Sequence, residues 1–161
     1  MIPTRFEPLL QELSPLAERF RSAGHRLYVV GGTVRDLLLG AESFGVSDDI
    51  DLTTSARPDE IHACLDGWAD AVWNQGEKFG TVGARLGDRV LEITTFRAES
   101  YTDDSRKPHV VYADDVETDL SRRDFTVNAM ALELTNDIPT LVDPHNGAVD
   151  LLQRVLRTPL S

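Results

Sequence analysis

The sequence has few of the features that mark secreted or membrane proteins. Of its 161 residues only Cys64 is a cysteine, so no disulfide can form within the chain. No apolar run approaches the length of a membrane span, and the N-terminus lacks the basic-then-apolar layout of a signal peptide. Internal repeats and low-complexity segments are also missing. These features predict a cytoplasmic protein without a membrane partner.

Positive charge is scarce as well. The chain has 16 Lys and Arg against 27 Asp and Glu, which gives a net charge of −11. Because an acidic surface does not attract phosphate backbones, this chain is not expected to bind nucleic acid tightly on its own. If nucleic acid is a substrate, a localised or separate basic surface must hold it. The length and the 41% hydrophobic content fit one compact domain with a real core.

Apolar residues at three- and four-residue spacing predict helices. Residues 3–23 carry one apolar stripe, although Ser14-Pro15 in its middle would also suit two short helices. Residues 58–68 repeat the pattern and place Cys64 on the apolar face, which predicts a buried, inert thiol. A further short helix is predicted over residues 150–156.

Besides the strand that carries Asp49 and Asp51, four stretches are typical of β-strands. They comprise residues 26–30, 71–73, 81–86 and 89–96. The last two are predicted to form a hairpin around Gly87 and Asp88. Alternation along the second arm puts Glu92 on the face opposite Leu91 and Ile93. An acidic residue at that place suits either the outer face of an edge strand or a third metal ligand.

Residues 98–121 lose this periodicity. Residues 103–108 are predicted to form a polar surface loop. The acidic run over residues 114–119 is interpreted as the solvated start of a helix, because acidic residues favour a helix N-terminus through the helix dipole.

A denser polar group follows at residues 121–132. As a predicted helix, this stretch has Asp124 and Asn128 on one face at i,i+4 spacing. Beside the arginines Arg122 and Arg123, such a face suits the binding of ribose hydroxyls and phosphates. A salt-bridged helix that lines a cleft would use the same residues.

A glycine pair, Gly31-Gly32, follows the first predicted strand. Glycines let the backbone approach a phosphate, and the free N–H groups of a first helical turn point at it. Arg35 could add a fork of donors. The spacing matches neither a P-loop nor G-x-G-x-x-G. A tight strand-to-helix turn, with Arg35 paired to an acidic neighbour, explains the same residues equally well.

The best candidates for a working centre are Asp49 and Asp51, in a short predicted strand over residues 48–54. Side chains alternate along a strand, so both carboxylates should project from the same side. Their repulsion would be relieved by a divalent cation, since hard cations take carboxylate oxygens as ligands. By itself, however, D-x-D is more often a solvated acidic edge strand.

Together these motifs resemble, in their order, those of class II nucleotidyltransferases. That family comprises the bacterial tRNA CCA-adding enzymes and their poly(A) polymerase relatives. The motifs are Tyr28–Asp36, Asp49–Asp51, Glu92–Arg97, Arg122–Ala129 and Asp143–Leu151. The resemblance implies an α+β fold of the polymerase-beta type, with a mixed, mostly antiparallel sheet backed by helices. It also implies a single head domain over residues 1–161, without the neck, body and tail domains of the family.

The resemblance implies roles for particular residues. Asp49 and Asp51 match the two catalytic, metal-binding aspartates, and Glu92 stands where a third acidic residue is expected. Contacts to the nucleotide are implied for Gly31, Gly32, Arg35, Arg123, Asp124 and Asn128. The loop from Arg97 to Val110 would help the nucleotide change its posture.

The implied reaction transfers CMP or AMP from CTP or ATP to the 3′ end of a tRNA, with release of pyrophosphate. Two Mg²⁺ ions about 3.5–4 Å apart would clamp the in-line displacement. Arg35 and Arg123 would offset charge on the triphosphate. In this family the motif that chooses CTP or ATP lies in the neck domain. The head is therefore expected to bind nucleotides weakly and with little base discrimination, and to bind RNA weakly.

Other functions share parts of this pattern. The head of a poly(A) polymerase would carry the same motifs. A minimal protein-modifying nucleotidyltransferase fits less well, because that group usually has Gly-Ser where this chain has Gly31-Gly32. A catalytically silent nucleotide-binding scaffold is the remaining alternative. The clustered charge of Asp49, Asp51 and Glu92 argues against a scaffold, which has no use for it.

Overall fold

The computed structural model describes residues 3–40, 49–75, 80–98, 101–102, 108–109 and 111–159. Its helices are α1 (Glu7–Ser22), α2 (Gly32–Leu38), α3 (Pro58–Leu65), α4 (Val116–Ser121) and α5 (Gly147–Gln153), with short 3-10 helices at Thr4–Phe6 and Thr126–Asn128. Its strands are β1 (Leu27–Val30), β2 (Ile50–Thr54), β3 (Ala71–Asn74), β4 (Thr81–Leu86), β5 (Arg89–Thr95), β6 (Tyr101–Thr102), β7 (Pro108–His109), β8 (Ala131–Glu133) and β9 (Thr140–Val142).

One mixed sheet organises the described part of the chain. It has the order β3-β4-β5-β2-β1-β8-β9, while β6 and β7 form a separate two-stranded ribbon. Neighbouring strands of the sheet are antiparallel except for β2 and β5, which are parallel. The predicted α+β class with a mostly antiparallel sheet backed by helices is confirmed. The predicted hairpin of β4 and β5 is confirmed as well.

The two faces of the sheet belong to different hydrophobic clusters. Alternation along β1 sends Leu27 and Val29 into the larger cluster, which α1 and α3 cover. Tyr28 and Val30 point to the other face and join a smaller cluster with α4 and Phe96. Each fully buried aliphatic or aromatic side chain contributes about 1.5–3 kcal/mol. The larger cluster therefore anchors the helices, and the face with the smaller cluster is less completely covered.

Helix α1 runs without a break through Pro15, so the alternative of two short helices is wrong. Proline costs roughly 3 kcal/mol in a helix interior. Pro15 is exposed, whereas Leu13, Leu16 and Phe20 of the same helix are fully buried. Burial of this stripe outweighs the hydrogen bond that the proline cannot donate.

The helix predicted over residues 58–68 is confirmed by α3, which begins at the predicted residue and ends three residues earlier. Cys64 lies on its inner face and is buried, as predicted. Burial raises the pKa of the Cys64 thiol, and the nearby Arg19 guanidinium lowers it to a smaller extent. None of the described helices is long and apolar enough to cross a membrane.

The prediction of a helix over residues 121–132 is wrong. After α4 the chain turns, Phe125 is extended, the 3-10 helix Thr126–Asn128 follows, and residues 131–133 form β8. Strand β8 pairs with β1 on one side and β9 on the other, so its backbone groups are satisfied in the sheet. Thr126 also donates its side-chain hydroxyl to Asp150 at 2.6 Å. These long-range bonds override the helical pattern of the local sequence.

Helix α5 begins three residues before the predicted helix over residues 150–156. The carboxylate of Asp143 accepts hydrogen bonds from the backbone N–H of Gly147 at 2.6 Å and of Ala148 at 3.0 Å, and so starts the helix. Arg154 adopts a left-handed conformation (φ 57°) just after its end. Of the polar loop predicted over residues 103–108, all but Pro108 lie outside the described residues.

Candidate functional site

Asp49 and Asp51 lie at the start of β2. Asp49 immediately precedes the strand and Asp51 is its second residue; both are exposed, whereas Ile50 between them is fully buried. This exposure pattern agrees with the predicted alternation. Strand β2 lies between β5 and β1 in the sheet, so a solvated edge strand does not explain the pair. Asp48, the predicted first residue of the strand, is outside the described residues.

Glu92 is the neighbour of Asp51 in the sheet. Strands β2 and β5 run parallel in a register that puts these two residues opposite each other. Side chains at opposite positions share a face, and the strands are about 5 Å apart. Gln75 donates its side-chain amide to the Glu92 carboxylate at 2.9 Å. Because β5 is an interior strand, the edge-strand explanation of Glu92 is wrong, and its role as a third acidic ligand stays a prediction.

The chemistry of these carboxylates suits Mg²⁺. In the part of the chain that the structure describes, no group of three or more His, Cys, Asp or Glu side chains could hold a metal ion by itself. Mg²⁺ usually binds one or two protein carboxylates and completes its octahedron with water and substrate phosphates. Asp49 and Asp51 therefore fit an Mg²⁺ ion that takes its other ligands from outside the chain.

The predicted glycine turn lies at the same end of the sheet. Antiparallel pairing of β1 with β2 puts Val29 opposite Leu52, so Gly31 comes close to the start of β2. Gly31 has φ 74°, a conformation that favours glycine. A Cβ atom on Gly31 would lie 4.0 Å from Arg123 Nη1, and one on Gly32 would lie 3.1 Å from a guanidinium nitrogen of Arg35. Two arginine side chains therefore approach the bare backbone of the turn.

Arg35 links the glycine turn to the 3-10 helix. Its guanidinium donates to Asn128 Oδ1 at 2.8 Å and to Asp36 Oδ1 at 3.1 Å. Asn128 in turn donates to Asp124 Oδ1 at 3.1 Å. The predicted pairing of Arg35 with an acidic neighbour is confirmed, but the same guanidinium also reaches the polar group. Asp124 and Asn128 contact each other without the helix that was predicted to align them.

A buried carboxylate, Asp119, was missed by the sequence analysis. It is fully buried, so the interpretation of residues 114–119 as a solvated run is wrong at this residue. Its Oδ1 accepts a hydrogen bond from Arg123 Nη2 at 3.0 Å, and its Oδ2 accepts one from the backbone N–H of Arg97 at 2.8 Å. The helical spacing of Val116 and Leu120, with Asp119 on the same face, could have revealed its burial.

Asp119 is surrounded by more positive charge than it can balance. Besides Arg97 and Arg123, Arg122 Nη2 lies 3.8 Å from its Oδ2. Burial lowers the pKa of both Arg97 and Arg122, Asp119 raises it, and the neighbouring guanidinium of Arg123 lowers it again. Arg97 and Arg122 nevertheless stay protonated at neutral pH. The acidic chain therefore has a local excess of positive charge around Asp119.

The helix that carries Asp119 is capped by Asp115, whose carboxylate accepts the backbone N–H of Thr118 at 2.7 Å. We expect Asp115→Ala to lower the free energy of unfolding by about 1 kcal/mol at pH 7. The hydrogen bonds from Thr118 lower the pKa of Asp115 below its usual 3.8. This stabilisation is therefore complete above that value and is lost as the pH falls through the lowered pKa of the folded state.

Urea unfolding of both proteins at pH 7 and pH 3 measures this effect. The difference between wild type and Asp115→Ala should shrink at the lower pH. Asp114→Ala is a matched control, because Asp114 is exposed and its ion pair with Arg57 at 3.6 Å lies on the surface. A difference that is equal at both pH values would show that the charge of Asp115 does not cap α4.

Comparisons with known proteins give one consistent result. A family model described as the poly A polymerase head domain matches residues 27–157. A CCA-adding enzyme of Lactobacillus helveticus is 41% identical over 144 residues, which cover 89% of this chain and 33% of that protein.

Solved structures give the same picture. The Bacillus stearothermophilus CCA-adding enzyme in complex with CTP has a TM-score of 0.72 and 33% identity, covering 98% of this chain and 34% of that chain. A tRNA nucleotidyltransferase complexed with a primer tRNA and an incoming ATP analog has a TM-score of 0.69 and 33% identity. The match covers 89% of this chain and 38% of that chain. The chain thus spans about a third of the length of these relatives.

Proposed function

Because the chain belongs to the family of poly(A) polymerase head domains, we propose that it is the catalytic head of a tRNA CCA-adding nucleotidyltransferase. The reaction transfers CMP or AMP from CTP or ATP to the 3′ end of a tRNA and releases pyrophosphate. One observation carries this proposal: Asp51, with Asp49 two residues before it, is opposite Glu92 in the sheet, at the end where the Gly31 turn meets Arg123.

Asp49 and Asp51 are the residues that would hold the metal. When bound, Mg²⁺ supplies Lewis-acid polarisation of phosphate oxygens and offsets their charge. Glu92 adds a third carboxylate on the same face, opposite Asp51. The donor set is hard oxygen throughout, which agrees with a Mg²⁺-dependent reaction rather than with a zinc site.

The remaining polar residues of the site position the nucleotide. Arg123 and Arg35 approach the Gly31-Gly32 turn and would offset the charge of the triphosphate, while Asp124 and Asn128 would accept and donate hydrogen bonds at the ribose. The bond between the RNA 3′ oxygen and the α-phosphorus forms as the bond from that phosphorus to the leaving pyrophosphate breaks. The attacking hydroxyl belongs to the RNA, so no nucleophilic side chain is needed.

Two alternatives are weaker. A poly(A) polymerase head would use the same site, but the curated relative and the solved structures described above carry the names of CCA-adding enzymes and tRNA nucleotidyltransferases. A silent scaffold gains nothing from like charges at Asp49, Asp51 and Glu92, which repel one another and oppose folding. We place the reaction in the cytoplasm, where tRNA and nucleoside triphosphates are available.

Isothermal titration of this chain with Mg²⁺–CTP and Mg²⁺–ATP tests the proposal. We expect weak binding, with dissociation constants of about 0.1–1 mM, that differ by less than about threefold between the two nucleotides. Binding should disappear when EDTA removes the metal. Failure to bind either nucleotide at millimolar concentration would contradict the function. Tight binding of only one nucleotide would instead contradict the assignment of base selectivity to a part of the enzyme outside residues 1–161.

A further inference from the structure

We propose that Asp119 is a positioning residue that fixes Arg97 and Arg123 on the sheet face of the candidate site, so that their guanidinium groups meet the triphosphate. The inference rests on the proposed function, because it assumes that a nucleotide binds at this face. It extends the site to Arg97 and to a carboxylate that neither touches the substrate nor binds the metal.

The Asp119 side chain packs against the sheet face that carries Asp51 and Glu92. Thr53 follows Asp51 by two positions in β2, so it points to the same face about 7 Å farther along the strand. The Thr53 hydroxyl donates to the backbone carbonyl of Thr94 at 3.0 Å and lies 3.5 Å from Asp119 Oδ2. Thr94 has the same relation to Glu92 in β5. The Asp119 carboxylate therefore lies near Thr53 and Thr94, which follow Asp51 and Glu92 by two positions in their strands.

The two oxygens of Asp119 hold two different arginines. Oδ2 accepts the backbone N–H of Arg97, at the point where the chain leaves β5. The Arg97 side chain then returns over the same face, where its Nη2 donates to Thr81 Oγ1 at 3.1 Å. Thr81 Oγ1 is in turn 2.8 Å from Thr94 Oγ1. Asp119 thus fixes the backbone position from which the Arg97 side chain reaches Thr81.

One terminal nitrogen of the Arg123 guanidinium is bonded to Asp119, and the other lies beside the Gly31 turn. Its Nη2 is bonded to Asp119 Oδ1 at 3.0 Å, while its Nη1 lies against the Gly31 turn. Among the described residues, its Nε is buried and has no hydrogen-bond partner. A guanidinium that is fixed in this way pays less conformational entropy on binding a phosphate than a free side chain does.

Charge balance explains why a carboxylate is needed at this position. Arg97, Arg122 and Arg123 repel one another, and without Asp119 their side chains would separate toward solvent. One carboxylate cannot neutralise three guanidiniums, so positive charge remains for an anion. Asp119 therefore reduces the local positive charge by one unit but gives the remaining charge a fixed geometry.

Positioning and simple electrostatics predict opposite effects of Asp119→Asn on nucleotide affinity. The variant removes a negative charge next to the site, so an unfixed cluster would attract Mg²⁺–ATP more strongly. Positioning predicts instead that the affinity for Mg²⁺–ATP falls by about tenfold or more, which is about 1.4 kcal/mol. Titration calorimetry measures the affinity, and thermal unfolding measures the folded fraction of each variant.

Glu12→Gln is the matched control. Glu12 pairs with the buried Arg89 at 2.6 and 2.8 Å, and alternation along β5 directs Arg89 to the opposite face of the sheet from Glu92. We expect a similar loss of thermal stability with an unchanged affinity for Mg²⁺–ATP. If Asp119→Asn does not fold, the double variant Asp119→Asn, Arg122→Gln lowers the repulsion and is measured in its place.

The outcomes separate the two proposals. If the wild-type chain does not bind Mg²⁺–ATP, the proposed function fails. If the wild type binds but a folded Asp119→Asn chain, or the folded double variant, binds equally well or more tightly, the positioning role is overturned and the proposed function stands. A parallel loss of affinity in Glu12→Gln would also overturn it, because general loss of stability would then explain the effect.

Discussion

Replacing Asp49 and Asp51 together by alanine should abolish binding of Mn²⁺, a substitute for Mg²⁺, without unfolding the protein. Both side chains are exposed and make no part of the core, while Ile50 between them stays buried. Strand β2 keeps its backbone pairing with β1 and β5 in the variant. Removal of two like charges beside Glu92 relieves repulsion, so the melting temperature in EDTA should be unchanged or higher by a few degrees.

Electron paramagnetic resonance of a Mn²⁺ titration measures this loss, which we expect to exceed about 100-fold because the two aspartates supply the protein's principal ligands. The control is Asp66→Ala, Asp88→Ala, which removes two other exposed aspartates and changes the net charge equally. It should bind Mn²⁺ as the wild type does. Retention of Mn²⁺ by the first double variant would place the metal site elsewhere.

Gly147→Ala should lower the free energy of unfolding by about 3 kcal/mol or more, which is at the high end for overpacking. A Cβ atom on Gly147 would lie 2.1 Å from the backbone oxygen of Thr126, and backbone cannot swing aside as a flexible side chain can. Thr126 begins the 3-10 helix that carries Asn128, the partner of Arg35. The substitution should therefore also weaken nucleotide binding.

Urea unfolding compares this variant with Gly87→Ala. A Cβ atom on Gly87 would have nothing within 4 Å, but its φ of 60° is unfavourable for alanine. That substitution should cost only about 1 kcal/mol, a purely conformational effect. If Gly147→Ala costs no more than Gly87→Ala, then α5 does not pack tightly against the 3-10 helix.

Local patterns in the sequence predicted the elements that depend on local periodicity. Alternation in β5 places Glu92 on the face opposite Leu91 and Ile93. The apolar run before the Gly31 turn predicts strand β1. Sheet order is not a local property, so the sequence could not tell that β5 pairs in parallel with β2. That pairing is what brings Glu92 beside Asp51.

Two of the predictions fail where long-range contacts decide the structure, and one fails at a local helix cap. Residues 131–133 follow a helical apolar pattern, yet they complete the sheet beside β1. Asp119 belongs to an acidic run that is favourable at a helix start, but Arg97 and Arg123 draw it into the interior. Asp143 starts α5 earlier than its apolar spacing suggests. Strand β1 is distant in sequence from β8, and Arg97 is distant from Asp119, so local propensity does not anticipate these hydrogen bonds. Asp143 instead acts on its own neighbours, through the backbone N–H groups of Gly147 and Ala148.

We expect one face of the sheet to hold a metal-bound triphosphate between the Asp49 and Asp51 carboxylates and the Gly31 turn. A crystal of this chain grown with Mn²⁺ and a non-hydrolysable CTP analogue, with data at the manganese absorption edge, tests it directly. We predict an anomalous peak at the carboxylates of Asp49 and Asp51, with the triphosphate against Gly31-Gly32 and Arg123. A peak at other carboxylates, or a nucleotide on the opposite face of the sheet, which α1 and α3 cover, would contradict it.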